Sequence, residues 1–220
     1  RYNPRKIRTL NFLYLKNEIN KNISGSLIAL MNCYQKNDSS NTIYLRGTYG
    51  ANAWYKDDLL KIHLAGYYQN GKNSQGNNVS AYAFFSTASL SIGNWSFGPG
   101  FDLISGNDNL KSAGQDTDHM FDILYGARHG YYGYMNYFAN VARSTGGSGL
   151  MDAHFYVDRA IAKKHSLEVR YHYFLLQNNY YTEVKPNQFQ SLDKYLASEA
   201  DLVYTYNISP SLDINAGYSI

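Results

Sequence analysis

Residues 166–176 alternate with a period of two: Leu167, Val169, Tyr171, Tyr173 and Leu175 fall on one face, Ser166, Glu168, Arg170 and His172 on the other. Three ionisable groups opposite an unbroken apolar row predict a strand with one oily and one wet side. Residues 59–69 repeat the pattern, with Leu60, Ile62, Leu64 and Tyr68 against Lys61, His63 and Gln69. In residues 150–161, Met151, Ala153, Phe155 and Val157 oppose Asp152, His154, Tyr156 and Asp158. In 200–208, Leu202, Tyr204, Tyr206 and Ile208 face away from Asp201, Thr205 and Asn207, with Glu199 just ahead. The last run, 212–220, sets Leu212, Ile214, Ala216, Tyr218 and Ile220 against Asp213, Asn215 and Ser219. A hairpin is centred on Gly93-Asn94: Tyr82, Phe84, Ala88, Leu90 and Ile92 form one apolar row, Trp95, Phe97, Phe101 and Leu103 the next. Their partners are mostly small or polar and include Asp102. Pro99 cannot donate to a ladder, so a bulge or bend is expected there. Residues 42–55 alternate less cleanly, with Ile43, Leu45, Tyr49 and Tyr55 outward and Arg46, Thr48 and Asn52 inward. Residues 7–17 and 23–34 have mixed faces, which leaves their phase open.

These ten runs are joined by connections that alternate in length. Asn20-Lys21-Asn22, Lys56-Asp57-Asp58, Gly93-Asn94, residues 162–165 and Ser209-Pro210-Ser211 are short; residues 35–41, 69–78, 105–149 and 177–195 are long. A strand protein threaded through a bilayer keeps tight turns on one side and lets loops grow on the other. The pattern predicts an all-β chain, an antiparallel up-and-down transmembrane β-barrel. Residues 1–220 make one domain of about ten strands with a long extracellular loop at 105–149. In lipid every backbone group must be paired within the protein, so strands persist only as a closed barrel. Polar, often charged inward positions favour water inside. With a start inside Arg1-Tyr2-Asn3-Pro4 and an end in mid-strand at Ile220, the expectation is a piece of a barrel of about sixteen to eighteen strands.

Composition sharpens this picture. The hydrophobic fraction is 44%, mean hydropathy is −0.46, and no apolar run approaches the roughly 18 residues of a spanning helix. That excludes helical membrane proteins and leaves barrels, whose strands are apolar at every second position. Tyr is over-used, 23 against 10 Phe and 2 Trp; its ring suits strands and the hydrocarbon–headgroup boundary. A single cysteine, Cys33, excludes an internal disulfide framework and reads as a small apolar filler. A net charge of +3 gives no argument for nucleic acid. The bacterial outer membrane is the expected location, and its lipid the expected surroundings.

The connection at 105–149 is too long for a structureless join. Its first half, 107–119, is polar; its second, 121–138, is dense in aromatics and can fold into the mouth of a barrel, with Phe121, Asp122, Tyr125, His129, Tyr132 and Tyr137 as candidate constriction residues. Ser105-Gly106-Asn107-Asp108, Phe121-Asp122, Leu124-Tyr125-Gly126, His129, Tyr132-Gly133, Met135, Tyr137-Phe138 and Gly149-Leu150-Met151-Asp152 stand in order along this segment. In them the chain resembles the alginate-export family of outer-membrane proteins, in the form common among Bacteroidetes. Gly130 departs from the basic residue usual in that family, and Asn136 from the expected Asp. The resemblance implies passive movement of polysaccharides or other polar solutes through a porin-like barrel, without implying alginate as the cargo.

Candidate chemistry lies in the lumen. Arg46, Lys61, His63, His154, Arg170 and His172 supply positive or titratable groups, and Asp102, Asp152, Glu168, Glu199 and Asp201 negative ones; rings of such groups select what a water-filled pore passes. The near balance of signs argues against a strongly anion-selective duct. Asp116, Asp118 and Asp122 could offer oxygens to calcium, but the spacing matches no calcium loop and acidic loops are usually just solvated. No cofactor is expected. No phosphate-cradling glycine motif, paired-cysteine spacing or nucleophile elbow is present. His154 with Asp152 is the nearest approach to an acid–base pair, but residues two apart on a strand lie about 7 Å apart. The reading is therefore a channel for a polar or oligosaccharide solute and not an enzyme. The alternatives are an accessory subunit with partners in a larger envelope complex, a barrel hydrolase, and a soluble ligand-binding sandwich.

Overall fold

A computed structural model describes residues 7–37, 39–110, 117–123 and 132–220. Ten long strands are β1 (Ile7–Glu18), β2 (Ile23–Gln35), β3 (Ile43–Lys56), β4 (Leu60–Lys72), β5 (Asn78–Ile92), β6 (Trp95–Ile104), β8 (Leu150–Ala162), β9 (His165–Leu176), β12 (Tyr195–Ser209) and β13 (Leu212–Ser219). Three short strands lie in the long connections: β7 (Thr117–Asp118), β10 (Tyr181–Lys185) and β11 (Gln188–Ser191); a single helical turn, α1, covers Val141–Ser144. The long strands pair antiparallel with their sequence neighbours from β1 to β13, while β7 adds a short parallel pairing to β5. The fold is an all-β, up-and-down meander. Among the described residues β1 and β13 each have one neighbour, so the sheet keeps two free edges.

The tight turns are built from side chains that fold back on the backbone. Asn20 Oδ1 accepts from the N–H groups of Asn22 and Ile23, both at 2.9 Å. Asp57 accepts from the Tyr55 hydroxyl (2.6 Å) and from the amides of Leu60 (2.6 Å) and Leu59 (2.8 Å). These donors, the tyrosine first, hold its carboxyl below the usual carboxylate range. Such Asx arrangements fix a two- to four-residue reversal without help from the core. All five tight turns fall at one end of the sheet and the long connections at the other.

Exposure follows the alternation, with the sense opposite to that of a soluble sheet. Leu45, Tyr49, Leu64, Tyr82, Phe84, Phe155, Tyr171 and Leu202 are exposed, whereas Asn32, Arg46, Gln69, Asp152, His172 and Glu199 on the other face are at most 4% exposed. Register settles the phase of β2. Ser26 pairs with Asn52, Asn32 with Arg46 and Tyr34 with Tyr44, so these point inward, leaving Leu27 and Met31 outward. In β1, Leu10, Phe12 and Tyr14 share the inward face through their pairing with Asn32, Leu30 and Ile28, and Leu13 and Leu15 lie outward.

The sheet is rolled. Trp54 on β3 and Arg170 on β9 line one cavity of about 620 Å³. Those strands are five ladder steps apart, about 24 Å if the sheet were flat, which is more than twice the width of such a cavity. The expected irregularity at Pro99 is present: pairing of β5 with β6 stops after Thr87 with Gly100 and resumes at Leu90 with Phe97. Gly98 lies in this interruption, where an added Cβ would come 1.9 Å from the Ala88 carbonyl oxygen. Gly98→Ala is therefore expected to destabilise the fold by about 1–3 kcal/mol, the usual cost of overpacking, as read by urea unfolding in detergent.

Not all of the inner face is polar. Toward the loop end Val79, Ala81, Ala83, Ile104, Leu150 and Phe174 point inward and form a buried core with Phe121, Tyr132, Phe138 and Val141 of the long connection. The interior is thus half filled by the chain's own loop, where the alternation alone predicted a wet lumen. The loop leaves and rejoins the sheet through a pinch of bare backbone. A Cβ on Gly106 would stand 2.0 Å from the Gly149 nitrogen, and Gly149 itself has φ +74°. Asn107 N–H donates to the Gly147 carbonyl (2.8 Å), and the Ser105 hydroxyl donates to the His119 carbonyl (2.7 Å) while accepting from Tyr82 N–H (2.8 Å).

Candidate functional site on the inner face

Direct pairing lays out a polar belt across four neighbouring strands. Asp102 on β6 faces Asp152 on β8; His154 on β8 lies between Gly100 on β6 and His172 on β9; His172 in turn faces Glu199 on β12. One step nearer the tight turns, Tyr156, Arg170 and Asp201 form a parallel row, and Asp158 pairs with Glu168. His172 Nδ1 is 2.7 Å from Asp152 Oδ2, and His154 Nδ1 is 3.5 Å from the same oxygen. An ionised carboxylate only accepts, so the 2.7 Å contact is an imidazole N–H donating to Asp152. Arg170 pairs with Glu168 at 3.0 Å and lies over the Tyr156 ring. His154 and His172 are 5.2 Å apart centre to centre, and Phe174 stacks on His172 from the loop side at 5.4 Å.

Segments of the long connection are latched onto this belt and onto β3 and β4 beyond it. Met135 N–H donates to Glu199 Oε1 (2.7 Å) and Tyr134 N–H to Asp201 Oδ2 (3.4 Å). Between these and the sheet, Gly133 (φ +76°) lies where a Cβ would approach the Glu199 carboxylate to 2.4 Å. On the far side, Gln69 and Asp122 exchange two bonds, side-chain Nε2 to carbonyl (2.9 Å) and amide N–H to Oε1 (3.0 Å). Arg46 donates to the Asp122 carboxylate at 2.9 Å and also to the Tyr34 hydroxyl. The connection therefore bridges β3–β4 and β12, leaving a cavity at each end. The turn-side one holds Lys61 and His63, the latter stacked on Trp54 at 5.1 Å; the loop-side one, about 800 Å³, holds Tyr34, Arg46, Asp118, Phe121, Asp122 and Arg143.

All eleven lumen candidates fall on the inner face, but they do not form one mixed ring. Asp102, Asp152, Glu168, Glu199 and Asp201 gather in the belt with Arg170, His154 and His172; Lys61 and His63 line the turn-side cavity, which His154 and Arg170 also reach, and Arg46 lines the loop-side one. The belt is acidic, a segregation that the near balance of signs along the sequence concealed. Of the constriction candidates, Phe121 and Tyr132 are buried in the core, Asp122 is the ion-pair anchor, and Tyr137 is exposed. Tyr125 and His129 lie outside the described residues. Of the calcium candidates, Asp116 also lies outside them. Asp118 accepts from Asn73 and Asn107 side chains and the Met120 amide, whereas Asp122 binds Arg46. The two carboxylates thus serve different partners. The alternation placed Gln69 on the polar face of its strand but gave no sign that it, or Tyr34, would serve the loop anchorage, because those roles depend on register and on the approach of a distant loop. No family model and no curated protein matches this chain.

Proposed function

We propose that the chain forms the wall of a β-barrel of the bacterial outer membrane that lets a small polar solute, neutral or cationic, diffuse through. The observation that carries this reading is the inverted exposure: rows of Leu, Ile, Tyr and Phe are exposed on the outer face, while the inner face of β6, β8, β9 and β12 buries Asp102, Asp152, His172, Glu199 and Asp201. Soluble monomers rarely expose contiguous apolar patches beyond a few hundred Å², whereas a barrel needs such a band toward lipid. Closure in hydrocarbon requires partners for the outer edges of β1 and β13, from each other or from further strands. The resemblance to the alginate-export family is consistent with this wall. The acidic belt, however, disfavours a polyanion in the lumen and favours cations or uncharged sugars.

No chemical step is part of the proposal. The Asp152–His172 pair has the orientation of a hydrolase dyad, yet among the described residues Nε2 of His172 has no hydrogen-bond partner, and so no hydroxyl or thiol to activate. The loop inside the lumen favours one other reading, a plugged barrel serving as accessory subunit of an envelope assembly. Planar-bilayer recording separates the two. A channel gives discrete, cation-preferring steps, and Gly133→Val, which drives the loop off Glu199, is expected to raise the conductance severalfold. Silence in both proteins supports the plugged accessory barrel, and a chain that stays monomeric and folded without detergent overturns the membrane reading altogether.

A further inference from the structure

We propose that Asp152, His154 and His172 form a transition-metal site in the wall of the lumen, suited to Zn²⁺ or a neighbouring divalent ion. It does not depend on transport: binding without conductance, or the reverse, tells the two apart. Pairing of β8 with β9 sets the two imidazoles side by side, and Asp152 joins them from two residues along the same face. One ligand atom from each residue lies within 4.8 Å of the others. Zinc holds such donors at about 2.0–2.2 Å, so closure around an ion takes side-chain rotations that move each atom by about 1 Å or less.

The cluster also lacks partners that a buried site should have. Asp152 is wholly buried and His172 is 1% exposed, yet among the described residues Asp152 Oδ1 and His172 Nε2 find no hydrogen-bond partner, and His154 Nδ1 has only the 3.5 Å approach to Asp152 Oδ2. Buried polar atoms so poorly paired are rare, and their gathering in one contact group calls for an explanation; a cation bound by these residues supplies it. The neighbours suit one. Asp102 and Glu199 directly flank the cluster and deepen its negative field, and the Gly100 backbone leaves a slot for the His154 ring, where a Cβ would stand 1.9 Å from Nε2. Two imidazoles and one carboxylate select zinc, copper, nickel or cobalt over calcium and magnesium.

The test uses the full chain refolded in detergent and stripped with chelator. Calorimetric titration with Zn²⁺ is expected to give one ion per chain. His154→Gln and His172→Gln should each weaken binding by more than about 100-fold, beyond the 10–100-fold typical of an outer-shell partner. His165→Gln, at the β8–β9 turn, should leave binding unchanged. Should the belt variants fail to fold, Cu²⁺ bound to the unmodified protein gives an independent reading: its electron paramagnetic resonance spectrum should show coupling to two imidazole nitrogens. Stoichiometry well below one, affinity untouched by both folded histidine variants, or a spectrum without nitrogen coupling overturns the site.

Discussion

Val169→Arg is expected to destabilise the protein in a lipid bilayer by about 2–4 kcal/mol, the cost of a cation near the midplane of a barrel's outer face. Val169 lies near the middle of β9, is 44% exposed, and is flanked on β12 by Leu202, itself exposed. Were the outer face in water, the same exchange at a half-open strand position would change stability by no more than about 0.5 kcal/mol. The measurement is equilibrium urea unfolding from lipid vesicles, with Glu168→Gln next door as comparison. The large penalty must follow the outward row and be absent from the inward one. Equal, small effects at both positions would remove the lipid belt from the account.

The second large effect is expected at Phe174. Its side chain is fully buried, 4.5 Å from the Phe138 ring and stacked on His172. It is the contact through which the loop's core grips β9. Phe174→Ala should cost about 3–5 kcal/mol, the range for truncating a buried aromatic where the surroundings cannot collapse. Proteolysis of the folded variant should also cut first within residues 132–148, because the loop loses its main apolar hold on the wall. Cleavage confined to the tight turns would show that the loop is held by its polar latches instead.

Much of this architecture was legible in the chain. Strands such as β8 and β9 alternate apolar with charged residues, so period two assigned Val169 outward and His172 inward without ambiguity. β1 resisted because Leu10, Phe12 and Tyr14 on one face and Leu13 and Leu15 on the other are equally apolar; only pairing with β2 assigns them. The same blindness hid the apolar half of the interior, since Ala81, Tyr82, Ala83, Phe84 and Phe85 read as apolar on both sides. For the belt, the individual residues could be named but their meeting could not. That His172 would contact Asp152 follows from the β8–β9 register, which Ala162 to His165 fixes through turn geometry rather than composition. The aromatic loop was recognisable as something that packs inward. Its anchors Gln69, Glu199 and Asp201 were placed on inward faces by the alternation, but they belong to strands distant in the chain and carry no local mark of a loop partner.

The bridge from Asp122 on Arg46 and Gln69 to Tyr134 and Met135 on Asp201 and Glu199 has a kinetic consequence. Its two footholds belong to β3–β4 and to β12, well apart in the meander, so both latches hold at once only when those strands have curled toward each other. Closing of both latches is accordingly a late event in assembly, gated by long-range loop closure rather than by hairpin zipping.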